Sequence, residues 1–91
     1  MKYFVTLSDL AEIDLEETNS YYSRIIDEVL QRFWSDLNQT MEKLAANPLL
    51  FQKRYQNTRI VFLENFPFVV HFIIVGEELE VLRILHTKRE F

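Results

Sequence analysis

FVVHFIIV, running from Phe68 to Val75, is the stretch that decides the fold. Seven of its eight residues are apolar, so it lacks the alternation of a strand with one wet face, and both of its faces call for cover. The run is short and rich in β-branched and aromatic residues, which reads as a strand inside a sheet. On its two sides, TRIVFL (58–63) and LEVLRILH (79–86) read as strands as well. The connections between them, 64–67 and 76–78, are short enough for antiparallel hairpins.

Upstream the pattern changes period. Ala11, Leu15, Thr18 and Tyr22 are spaced by four, three and four and fall on one helical face, with Glu12, Glu16 and Glu17 mostly elsewhere. Val29, Phe33, Leu37, Met41 and Leu44 form a second stripe, on a helix whose other positions carry Asp36, Gln39, Glu42 and Lys43. A break is expected between Ser23 and Asp27; no Gly or Pro marks it, so one long bent helix is the alternative. Ser8 or Asp9 supplies the N-cap, with Glu12 at capping-box distance from Asp9. Asn47-Pro48 closes the helical part, because a residue before proline is pushed out of the helical region. A first strand over 2–7 (KYFVTL) completes the order β-α-α-β-β-β. The expected fold is one α+β domain over residues 1–91, a small antiparallel sheet packed on two helices.

That order has a consequence for the middle strand. Two helices cover one face of a sheet, leaving either Val69, Ile73 and Val75 or Phe68, Val70, Phe72 and Ile74 bare, and such a patch marks a partner site. Self-association, or the segment NPLLFQKRYQN (47–57) folded across the sheet, is the alternative.

Composition narrows the classes. The chain is 48% hydrophobic and 26% charged with one Gly and two Pro, a globular make-up without a low-complexity linker. There is no cysteine, hence no disulfide framework and no thiolate metal site, and a reducing cytosol is expected. His71 and His86 lack a well-spaced third ligand, so neither a metal nor a cofactor is expected. The opening residues are too short an apolar run for a leader peptide or a membrane span.

The net charge is −4, yet its distribution is uneven: residues 1–47 hold four Lys/Arg against nine Asp/Glu, and residues 48–91 hold six against five. Arg83, His86, Lys88 and Arg89 crowd the last strand and its end, with Lys53, Arg54 and Arg59 upstream. This is a candidate target- or phosphate-binding surface, though the global charge repels nucleic acid at long range. Each member has an ordinary reading too. His86 can bond backbone and pack on a helix; Lys88 and Arg89 can keep a sheet edge soluble. Lys53 and Arg54 fall in an expected loop, and Arg59 and Arg83 require a partner such as Glu64 or Glu80. His71 reads as a core or interface histidine, and Trp34, Tyr21 and Tyr22 as helix packing.

From LSDLAEIDLEETNSYY through RFWSDLNQTMEKLAANPLLFQKRY to FPFVVHFIIVGEELEVLRILHTKRE, the chain resembles the RelE/ParE superfamily of bacterial toxin–antitoxin toxins, whose modules include plasmid-stabilisation systems. The resemblance rests on Ala11, Asp14 and Leu15 in the opening helix, on Asn47-Pro48, on Phe66-Pro67 before the middle strand, and on a last strand closing with His86 and Arg89. It implies a toxin held by a cognate antitoxin in the cytoplasm, as a dimer or a hetero-oligomer. Two activities follow from it. ParE-like members bind and poison DNA gyrase; RelE-like members cleave messenger RNA on the ribosome. In the nuclease reading His86 and Arg89 take the acid/base and phosphate-binding roles, His86 being the obvious proton shuttle. Two departures count against it: Val69 stands where those enzymes tend to carry an arginine, and no tyrosine follows Arg89. LHTKRE is nearer the ParE-like ending. A degenerate member that only binds its partner is a third outcome.

Overall fold

The computed structural model describes residues 3–24 and 27–89. The expected strand start at Lys2, the centre of the interhelical break at Ile25 and Ile26, and Glu90 and Phe91 lie outside the described residues. In chain order come β1 (Phe4–Leu7), α1 (Asp9–Ser23), α2 (Asp27–Ala46), a 3-10 turn (Pro48–Leu50), β2 (Lys53–Tyr55), β3 (Thr58–Phe62), β4 (Phe68–Val75), β5 (Glu78–His86) and a second 3-10 turn (Thr87–Arg89). The strands lie in the order β1-β5-β4-β3-β2. Pairing is antiparallel from β2 through β5, and β1 joins β5 in parallel. The apolar run is thus the middle strand, as its composition demands.

Two local readings change and one alternative is settled. KRY (53–55), expected as loop, is a short edge strand; all three residues are exposed, and so brief a segment shows no alternation to read. Of the two N-cap candidates the cap is Ser8, whose Oγ accepts from Ala11 N–H at 3.1 Å, so Glu12 falls one residue past the capping-box position of the actual cap. Asp36 was expected on the solvated side of α2 but is buried. It follows Phe33 by three and precedes Thr40 by four, so it shares their face.

The core forms between the helices and one side of the sheet. Ala11 from α1 and Phe33, Leu37 and Leu44 from α2 pack on Phe68, Val70 and Phe72 of β4 and on Leu79, Val81 and Ile84 of β5. Phe33 is its hub, with ring centroids 5.6 Å from Tyr22, 5.6 Å from Phe66 and 5.1 Å from Phe68. Edge-on pairs like the last two add about 0.5–1.5 kcal/mol each beyond their buried area. Phe51 closes the end of this layer, its ring 6.2 Å from that of Phe72. The segment 47–57 therefore shields the helix side of the sheet, not the other side. Among the described residues no helix is long and apolar enough to cross a membrane.

Candidate functional site

The far face of the sheet carries Val69, His71, Ile73 and Val75, the first of the two sets expected to be bare. Register puts Phe62 and Leu85 beside Val69, and Ile60 beside His71, on that same face. The expectation holds only in part. Val69 is 0% exposed and His71 is buried, while Ile73 is half-buried and Val75 is 59% exposed. Phe62 on β3, 51% exposed, borders the patch on one side. Glu78 and Glu80 of β5, opposite Val75 and Ile73, give it an acidic end. No described helix covers this face; what it exposes is Phe62 near one end and Ile73 and Val75 at the other, the latter with a carboxylate margin.

The other side of β5 shows why the basic residues behave as they do. Pairing with β1 stops at Leu7 opposite Val81, which leaves the rest of that β5 edge without a neighbouring strand. A bulge follows at once: His71 faces Arg83 and Phe72 faces Val81, so Leu82 is the extra residue. α1 seals the gap with side chains. Ser8 Oγ donates to Leu82 O at 2.8 Å, and Ile84 N–H donates to Asp14 Oδ2 at 2.9 Å. Arg83 then clasps the same carboxylate, Nε to Oδ2 at 2.8 Å and Nη2 to Oδ1 at 3.0 Å. These bonds hold the guanidinium pKa above its ordinary value. The partner of Arg83 is thus Asp14, neither Glu64 nor Glu80, because α1 and not the sheet fills the vacated edge. Glu64 instead pairs with Lys43.

Arg59 is held by a carbonyl instead: its Nη1 donates to Phe51 O at 2.7 Å. His86 sits opposite Phe68, the two rings 5.3 Å apart and edge-on, and its Nδ1 accepts from Lys88 N–H at 3.2 Å. That acceptor role fixes the proton of the neutral ring on Nε2. Lys88, Lys53 and Arg54 are exposed. Arg89 ends the second 3-10 turn, and its side chain lies outside the described residues. Arg59 is opposite Phe72 and His86 opposite Phe68; four residues along a strand and two strands across separate them by about 16 Å. The expected cluster is therefore split, with Lys53, Arg54 and Arg59 at one side of the sheet and Arg83, His86 and Lys88 at the other. Among the described residues no three His, Asp or Glu side chains gather as a metal set.

The sequence profile of a family described as the ParE toxin of the type II toxin–antitoxin system, parDE, matches residues 5–91. The chain belongs to the ParE toxin family. Its fold is similar to a solved structure titled as the chromosomal ParDE toxin–antitoxin system from P. aeruginosa. The TM-score is 0.79 at 22% identity, covering 93% of this chain and 96% of that one. No curated protein sequence matches significantly. Within this ParE fold, sequence reasoning missed two buried carboxylates with fixed jobs. Asp14 caps the β5 edge; Asp36 Oδ2 accepts from the N–H groups of Asn65 and Phe66, at 2.9 and 3.1 Å, and holds the β3–β4 connection. The signal was available: each carboxylate falls three residues after an inward apolar residue, Ala11 or Phe33, and four before a buried threonine, Thr18 or Thr40.

Proposed function

We propose that this ParE-family chain inhibits growth in the cytoplasm by binding a target such as DNA gyrase, and that a cognate antitoxin neutralises it by lying against the uncovered sheet face. One observation supports binding over bond-breaking. Arg59 and Arg83, two of the cations that would offset charge on a phosphorane, are each engaged within the fold, one with a carbonyl and the other with a carboxylate. A site that stabilises developing charge needs its donors aimed at the reacting atoms, and these are aimed elsewhere. Inducing the protein without a partner tests the reading. The expected outcome is filamentation and a DNA-damage response while translation continues, with gyrase supercoiling inhibited in a purified assay. Immediate arrest of protein synthesis with cleaved transcripts, abolished by His86→Ala, would replace it with the ribonuclease reading.

A further inference from the structure

Between α2 and β2 the chain makes a rigid knuckle. Its two ends turn inward: Pro48 is fully buried, and Phe51 is half-buried against Phe72. Leu50 N–H donates to Asn47 O and Phe51 N–H to Pro48 O, both at 3.3 Å, and Arg59 ties Phe51 O from β3. With the anchors inside and the backbone tied, the two residues between them have one direction left. Leu49 is 61% exposed and Leu50 is 77% exposed. Lys53 and Arg54 follow on the exposed edge strand, so the tip is apolar and its flank cationic in a chain of net charge −4.

We infer that this knuckle is the target-docking point of the toxin, inserting Leu49 and Leu50 into an apolar cleft whose rim carries carboxylates facing Lys53 and Arg54. The inference rests on the toxin reading above and assigns a surface to it. A protrusion held in shape before binding loses little conformational freedom when it docks, which is what makes a small apolar anchor effective. The charges select its partner. A second copy docking knuckle to knuckle would set cations against cations. Two leucines and two cations on an acidic body are too little to hold an anionic bilayer. An acidic protein cleft meets both halves of the patch.

The Leu49→Ser/Leu50→Ser double variant tests this, beside Lys53→Glu/Arg54→Glu. Both exchanges alter exposed side chains, so the thermal midpoint should move by no more than about 4 °C. The complex with the co-expressed antitoxin should persist on size exclusion. Growth arrest on induction should be relieved, as expected for a roughly hundredfold loss of target affinity when two apolar anchors are removed. Either variant arresting growth as strongly as wild type overturns the inference while leaving the toxin reading intact. A wild type that is itself harmless removes the toxin reading, whatever the variants do. Antitoxin binding lost with toxicity kept would assign the knuckle to the antitoxin instead. Leucine-dependent flotation of the wild type with phosphatidylglycerol/phosphatidylethanolamine vesicles, or leucine-dependent self-association, would each replace the protein cleft by that occupant.

Discussion

Replacing Asp14 by alanine removes the carboxylate that caps the β5 edge at Ile84, and the cost can be worked from its contacts. Asp14 is 7% exposed and accepts from Ile84 N–H at 2.9 Å as well as from both nitrogens of Arg83. Ile84 is itself buried, so its N–H has no water to turn to, and an unpaired buried donor costs about 1–3 kcal/mol. The Arg83 side chain is 40% exposed, which lets solvent screen the pair and reduces its share to about 0.5–1 kcal/mol. The total is about 1.5–4 kcal/mol, and at about 4–8 °C per kcal/mol for a domain of this size the thermal midpoint should fall by roughly 6–32 °C. Asp14→Asn separates the two contributions. Its amide oxygen still accepts from Ile84 N–H while the charge is gone, so a fall of only about 5 °C is expected. Thermal unfolding followed by circular dichroism measures both, and amide exchange at Ile84 should accelerate in the alanine variant alone. Equal losses in the two variants would refute the reasoning, because the charge and not the backbone cap would then carry the effect.

Asp36→Ala should cost less per bond, about 0.5–1.5 kcal/mol each, because the N–H groups of Asn65 and Phe66 that it frees are only partly buried and can reach water, and exchange should rise at those two amides first. Burial, aided by Tyr21, raises the Tyr22 phenol above its ordinary 10.0. The folded state therefore holds that proton more tightly: the contribution is full below the ordinary value and is lost as pH rises through the folded one. Tyr22→Phe should flatten the alkaline loss of stability, measured as the thermal midpoint against pH. The Lys43 hydrogen bond lowers the Glu64 carboxyl below its ordinary 4.5, so the benefit of that pair is present above the ordinary value and disappears as pH falls through the folded one. Lys43→Met should then lower the midpoint slightly at neutral pH, and not at all in strong acid or high salt. Phe62→Ser/Val75→Ser should leave the midpoint nearly unchanged, since both side chains are more than half exposed, yet weaken the antitoxin complex in calorimetric titration.

What the sequence disclosed and what it withheld divide along one physical line. Elements with long apolar periodicity were legible: β4 from its unbroken run, α2 from its stripe, and the end of the helical part from Asn47-Pro48. β2 was not, because three exposed residues at an edge carry no pattern, and its pairing with β3 is set by the two-residue turn at Gln56 and Asn57, where Gln56 adopts a positive φ of 48°. The site residues suffered from a related blindness. Charge type is visible in sequence and charge direction is not, so seven cationic or histidine positions read as one surface when the fold divides the six with described side chains between the two sides of a sheet.

The same line explains why the carboxylates proved more informative than the cations. A cation on a long stem can leave its backbone position and find water, so its place in the sequence says little about where its charge ends up. A short aspartate cannot. Set on the inward stripe of a helix, Asp14 and Asp36 must meet backbone donors within about 3 Å or leave a charge buried without a partner. Each meets a donor the sheet has left over, one on the edge vacated by β1 and one in the turn before β4. Arg83 is then fixed in turn, because the carboxylate that caps β5 is already in place to receive it. Reading outward from buried acids to the bases they hold accounts for Arg83 through Asp14, while Lys53 and Arg54 lie exposed in the chain that follows Leu49 and Leu50.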